Sequence, residues 1–147
     1  MNQNISNPKN AKIALKEAAV MTERIDNEAE KREHRAMIGE ALIEAQLYDD
    51  ALPTLLGAQS DHNPKTHYLI ANNYVKLRKW PEALEQYGNA ARGFLMENNL
   101  EMAGLCYAGE GKTHLKLKQF DQALAAYKSA LATFEEITIS SIRKCKC

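Results

Sequence analysis

Apolar and small positions along the chain recur in steps of three and four. In "YDDALPTLLGA" (48–58), "WPEALEQYGNA" (80–90) and "FDQALAAYKSA" (120–130) an aromatic opens the segment: Tyr48, Trp80 or Phe120. Three residues later comes Ala-Leu, at Ala51-Leu52, Ala83-Leu84 and Ala123-Leu124. A large residue follows at Leu55, Tyr87 and Tyr127, and a small one closes at Ala58, Ala90 and Ala130. These steps trace one face of an α-helix. Nine residues before each aromatic stands a small residue, Gly39, Ala71 or Gly111, and three after it a large one, Leu42, Tyr74 or His114. Each unit therefore reads as a helix carrying a small residue, a short turn, and a second helix carrying Ala-Leu. The small residues let two helix backbones approach closely, and the aromatics fill the space between them.

The pattern predicts helices at about 8–26, 30–46, 49–60, 65–78, 81–97, 99–117 and 121–138, the first capped by Ser6 or Asn7. Pro64 suits the turn between the first two units, and Pro81 the first residue of a helix. Pro53 falls inside a helix past its first turn, where it removes a backbone donor, so irregularity is expected there. "ITISSI" (137–142) reads as a fraying helix end.

Helix–turn–helix units of this size, spaced 32 residues from Ala51 to Ala83 and 40 from Ala83 to Ala123, resemble the tetratricopeptide repeat. The extra length in the second interval is expected to lengthen the helix pair that meets at "MENNLEM" (96–102). The resemblance covers residues 33–137. It departs near the start of each first helix, where an aromatic stands only at Tyr107 and the other units carry Arg35 and His67. The resemblance implies an all-α superhelix, a solenoid of three tetratricopeptide-like helix pairs plus an N-terminal helix. Residues 1–7 are expected to be a disordered N-terminus. Residues 8–138 form one helical domain, with repeats at about 33–64, 65–98 and 99–137. Residues 139–147 form a flexible basic tail.

Composition narrows the function. The 147 residues carry 19 Lys+Arg and 19 Asp+Glu, a formal net charge of zero, so no global field steers the chain to nucleic acid or to a membrane. No apolar run reaches the ~20 residues that span a bilayer, and the N-terminus has no apolar signal core, which places the protein in the cytoplasm. Three cysteines, two of them in the terminal "KCKC", make no disulfide framework, and Cys106 falls in an apolar helical pattern. The run "ERIDNEAEKREHR" (23–35) mixes both signs and reads as a solvated helix surface.

"GLCYAGEGKTH" (104–114) ends like a phosphate-binding loop, but the first Gly of that motif should stand where Cys106 does, and no β-strand precedes it. In the repeat register Gly111 is the small packing residue and His114 a packed core histidine. His62 and His67 flank a turn without the further ligands a metal site needs. No nucleophile, base and orienting group come together, so no catalytic residue, metal or cofactor is assigned.

The tetratricopeptide resemblance implies instead a groove, lined by the first helix of each pair, that binds a peptide or helix of a partner protein. Carried over residue by residue, the lining is Ala36, Glu40, Ile43 and Glu44 in the first unit, Tyr68, Asn72, Val75 and Lys76 in the second, and Ala108, Lys112, Leu115 and Lys116 in the third. Glu33, Glu40 and Glu44 make one end acidic, and Lys76, Lys112 and Lys116 make the other basic, so the partner is expected to carry an acidic segment. Asn72 is suited to grip a peptide backbone, because its side chain both donates and accepts. The leading function is a non-catalytic protein-interaction module, an adaptor or scaffold. The alternative is a small bacterial secretion-type chaperone of the three-repeat class, and a remote alternative is a nucleotide-binding enzyme using "GEGKT". Ile13, Leu15, Ala18, Met21 and Ile25 form an apolar stripe on the first helix, and Leu131, Phe134 and Ile137 an apolar edge on the last. A homodimer would use one or the other.

Overall fold

The computed structural model describes residues 8–60 and 63–145. The expectations for residues 1–7, for the cap at Ser6 or Asn7, and for His62 and Cys147 lie outside them. The fold is all-α: α1 (Pro8–Thr22), α2 (Glu28–Glu44), α3 (Tyr48–Gly57), α4 (Pro64–Lys76), α5 (Trp80–Met96), α6 (Leu100–Lys116) and α7 (Phe120–Cys145). No strand occurs among the described residues. Two compact units are distinguished, 1–60 and 61–147. The break falls in the polar connection "AQSDHN" (58–63), the longest between consecutive helices.

One turn geometry recurs. After α2, α4, α5 and α6 the chain reverses in three residues, the second of which takes a left-handed backbone: Gln46, Arg78, Asn98 and Lys118, with φ near 60°. In each turn this residue's N–H donates to the carbonyl three residues back, Ile43, Val75, Leu95 and Leu115. The next N–H, from Leu47, Lys79, Asn99 or Gln119, reaches five residues back to Leu42, Tyr74, Phe94 or His114. This is the Schellman closure, which satisfies helix carbonyls that would otherwise lack donors. The third turn residue then accepts, through its own carbonyl, the N–H of an alanine four residues on: Ala51, Ala83, Ala103 and Ala123. The alanine that marks three helices in the sequence thus marks a fourth, α6.

The first unit holds α1, α2 and α3. Asn27 caps α2, its side-chain oxygen accepting from the N–H of Ala29 and Glu30. The helix begins two residues ahead of the expected 30 for that reason. Gly39 on α2 faces Leu55 on α3 so closely that a Cβ there would lie 2.5 Å from Leu55 Cγ. The helix stays regular through Pro53 but spans only ten residues. Glu23, in the turn after α1, pairs with Arg35 at 2.7 Å and Lys31 at 3.3 Å. The hydrogen bond from Arg35, and then that from Lys31, holds its carboxyl below the usual carboxylate range.

The second unit holds α4 to α7. Asn63 and Asn99 cap α4 and α6, and Pro64 takes the first helical position. Both α5 and α6 have seventeen residues, against thirteen for α4, so the longer second interval does lengthen this pair. A buried cluster of Ala71, Ala83, Tyr87, Ala90, Ala91, Phe94, Ala103 and Cys106 joins α4, α5 and α6. α7 packs against α6, with Gly111 beneath the Tyr127 ring, 2.8 Å from where a Cβ would stand.

Two expectations fail on α7. The helix does not end at 138 but runs to Cys145, because neither Gly nor Pro occurs after Gly111 to stop it. Residues 139–145 are therefore helix rather than tail. Of the expected apolar edge only Leu131 is exposed, while Phe134 and Ile137 are half-buried. The packed face set by Ala123, Ala126 and Ala130 continues at helical spacing into Phe134 and Ile137.

Candidate partner-binding face

α4 and α6 come into contact in the second unit, and α5 packs against both. On α4, Tyr68, Asn72, Val75 and Lys76 follow one another at the spacing of one helix face, as do Ala108, Lys112, Leu115 and Lys116 on α6. Tyr87 of α5 reaches both rows. Its hydroxyl donates to Asn72 Oδ1 at 2.5 Å. Its ring lies over Gly109, where an added Cβ would come within 2.6 Å of it. Tyr68 meets that ring edge-on, with centroids 6.0 Å apart. Burial, with smaller contributions from Tyr68 and Cys106, pushes the Tyr87 hydroxyl well above the usual tyrosine range, so it stays a donor at every physiological pH.

Lys76, Lys112, Leu115 and Lys116 are exposed, while Tyr68, Asn72, Val75 and Ala108 are half-buried. The result is an apolar and aromatic floor bordered by cations. Lys76 and Lys116 stand in the last turns of α4 and α6, where a positive charge also complements the helix dipole. The Tyr87 bond takes one lone pair of the Asn72 oxygen and fixes the orientation of the amide, whose two N–H donors and second lone pair are the groups a ligand could use. Glu40 and Glu44 lie on α2 of the first unit, Glu40 half-buried and Glu44 exposed.

Glu110, half-buried on α6, has its carboxyl pushed up by burial, against the opposing charges of His114 and Arg92. His114 is not packed in the core: it is half-buried, and its Nδ1 donates to Gln119 Oε1 at 2.8 Å across the turn into α7. Among the described residues the buried histidine is His67, whose Nδ1 donates to Gln86 Oε1 at 2.8 Å. No pattern in the sequence marked that pair, because Gln86 stands where the matching helices carry Thr54 and Ala126.

The "GEGKT" run lies wholly inside α6. Its backbone amides are engaged in the helix, and the buried Thr113 hydroxyl donates to the Gly109 carbonyl at 2.8 Å. A phosphate loop needs those amides free and convergent. Among the described residues no three His, Cys, Asp or Glu are grouped to hold a metal ion. No helix among them is long and apolar enough to cross a membrane.

The family model for soluble NSF attachment protein, SNAP, matches residues 58–145. That is more than half of the chain, and it coincides closely with the second unit, 61–147. Neither the curated proteins nor the solved structures give a match. The matched family has an all-α superhelical fold, and the helix pairs described above are consistent with it and with the tetratricopeptide resemblance. The chain belongs to the soluble NSF attachment protein family.

Proposed function

We propose that this protein is a non-catalytic cytoplasmic adaptor that holds a peptide or helix of a partner protein on the α4–α6 face. The observation that carries the reading is the convergence of Tyr68, Asn72 and Tyr87 beside Lys76, Lys112 and Lys116. Such a face suits an apolar anchor on the aromatic floor and an acidic segment against the lysines. Family membership supports an adaptor over both a secretion-type chaperone and a nucleotide-binding enzyme. Glu40 and Glu44, on α2 of the first unit, are proposed as a separate contact for a basic segment.

The family's name makes NSF the first partner to test. Calorimetric titration of the full chain with NSF from the same cell is expected to show binding. Lys112→Glu with Lys116→Glu should weaken it at least about tenfold, the scale of losing charge pairs at an interface rim. Unchanged affinity in the double variant removes the α4–α6 face from the proposal. Absence of any binding by the wild-type chain removes NSF.

A further inference from the structure

A step of seventy-two residues carries the first unit onto the second. Asn27, which caps α2, becomes Asn99, which caps α6. Gly39 on Leu55 becomes Gly111 on Tyr127, and the left-handed Gln46 becomes Lys118. The same step sets the inner stripe of α1, Leu15, Ala18, Ala19 and Thr22, on Tyr87, Ala90, Ala91 and Phe94 of α5. There the likeness ends. Tyr87 and Phe94 are each 4 % exposed, and the Tyr87 ring closes on Gly109 of α6. Leu15 and Thr22 are smaller, and Met37 stands where the second unit has Gly109. A cleft of about 460 Å³ is left between α1 and α2, lined by Leu15, Ala18, Met37, Ala41 and their neighbours. That volume is in the range of ligand-binding pockets.

The rim of the cleft is acidic. Glu30, Glu33, Glu40 and Glu44 follow at steps of three, seven and four, on the row of α2 that also carries Met37. Met37 itself is 59 % exposed. This row does nothing for the helix that bears it. Carboxylates three or four residues apart repel, and Glu44 stands in the last turn, where negative charge opposes the helix dipole. The bases of α2 are engaged or turned away: Lys31 and Arg35 pair with Glu23, and Arg32 lies across the helix from Ala41. On α1, Lys12 pairs with Asp50 of α3, and Lys9 and Lys16 stand across the helix from Ala18. Glu17 and Arg24, about one turn to either side of Met21, offset each other. The exposed His34 also lines the cleft. The balance of charge around the opening is therefore that of the four glutamates.

We infer that the α1–α2 cleft is a docking site for a basic segment of a partner protein. An aromatic side chain of that segment sits in the cleft, as Tyr87 and Phe94 fill the counterpart between α5 and α6, and its basic side chains lie against the glutamates of α2. The inference rests on the separate contact proposed for Glu40 and Glu44, takes it further, and uses no residue of the α4–α6 face. The buried anchor supplies most of the affinity, and the charged rim supplies orientation and specificity.

The test uses the full chain, carbon-13 labelled at its methionine methyl groups, and a short synthetic peptide with one tryptophan flanked by lysines. The methyl resonances of Met21 and Met37, which line the cleft, are expected to shift and saturate on titration, while those of Met96 and Met102 in the second unit stay in place. Replacing the tryptophan of the peptide by alanine should weaken binding at least about tenfold. Glu33→Lys with Glu44→Lys, both exposed, should weaken it by at least about tenfold with helicity unchanged. Ala41→Trp fills the cleft from its own wall, and the two peptides should then bind alike. Two results overturn the inference and leave the acidic contact standing: equal affinity of both peptides for the wild type, or binding that leaves Met21 and Met37 unmoved. If neither peptide binds, the acidic contact falls with it. Met21 and Met37 shifts that follow protein concentration with no peptide present give the cleft to a second copy of the chain and overturn the inference too. Should Ala41→Trp fail to fold, the pair of peptides still decides on the wild-type chain.

Discussion

In the second unit a buried cluster passes from Ala71 on α4 through Tyr87 and Phe94 on α5 to Cys106 on α6. Among the described residues the first unit buries the apolar Ile38, Leu42, Ala51, Leu55 and Ala58, and α1 adds the buried Thr22. Ile13, Val20 and Met21 of α1 are exposed, and a cleft of about 460 Å³ between α1 and α2 is lined by Leu15, Ala18, Met37 and their neighbours. Both units use the same device, a small residue on one helix against a large one on the next: Gly39 with Leu55, Gly111 with Tyr127. What differs is the reach of the core: in the second unit Tyr87 of α5 also lies against Gly109 of α6, so one buried cluster joins three helices. The family match follows the same division, covering the second unit and little of the first.

Truncating each core separately is the strongest way to break the comparison. Phe94→Ala removes a buried aromatic side chain from the cluster and should cost about 3–5 kcal/mol. Leu55→Ala should cost about 2–5 kcal/mol in the first unit. Hydrogen exchange resolved by segment should show protection falling across α4 to α6 in the first variant and across α2 and α3 in the second. If either substitution lowers protection equally in both units, the division into two cores has no energetic meaning.

Pro53 tests whether the lighter unit is weakened by a single residue. Inside α3 the proline has no N–H for the Asp49 carbonyl, and its ring crowds that oxygen. Pro53→Ala should therefore stabilise the first unit, by up to about 3 kcal/mol. The side chain is exposed, so little packing is lost in exchange. A urea midpoint that stays put would mean that the ten-residue length of α3 is set by its surroundings and not by the proline.

The helices and their pairing were legible because two signals coincide: apolar spacing and the small residues that permit close approach. Gly39 packs on Leu55 and Gly111 on Tyr127, both of them large residues of the repeated pattern. The fourth alanine, Ala103, escaped because α6 opens on Leu100 rather than an aromatic, although "LEMAG" carries the same three-residue step. Helix ends were less legible where they depend on what is missing: α7 continues to Cys145 for want of any stop residue. Of the candidate site, the lysines could be read as exposed from helical spacing alone. The bond that orients Asn72 could not, because it joins residues on two helices, and only the pairing geometry brings the Tyr87 hydroxyl to it. The same holds for His67 and Gln86.

Cys106 reports on the denser unit by a different route. Burial, with a smaller contribution from Glu110, pushes its thiol up to about 12 from 9.0. The folded pKa is raised, so the associated stability is complete below pH 9.0 and is lost as the pH climbs toward 12. Tyr87 is shifted in the same direction. In a Cys145→Ser, Cys147→Ser background, a thiol reagent at about pH 8 should label Cys106 only as fast as the second unit opens. Alkaline titration should lower the urea midpoint of the second unit, with a shallower slope in Cys106→Ala. Rapid labelling under native conditions would show that the cluster around Cys106 opens easily, and the contrast between the units would shrink accordingly.

The smallest effects test what the units share. Gln46 in the first unit and Arg78, Asn98 and Lys118 in the second occupy the same left-handed position in the same turn. An L-residue with a Cβ is strained there, glycine is not, and asparagine is strained less than the other three. Glycine substitution should therefore stabilise Gln46, Arg78 and Lys118 by up to about 1 kcal/mol each and Asn98 by less, net of the extra entropy glycine carries in the unfolded chain. Chemical denaturation of the four single variants measures this directly. Because the backbone bonds of the four turns match, Gln46→Gly and Arg78→Gly should give equal increments despite the different cores behind them. A loss at Gln46 beside a gain at Arg78 would mean that the turn energetics depend on the packing behind the turn, and the likeness of the two units would then extend to backbone geometry alone.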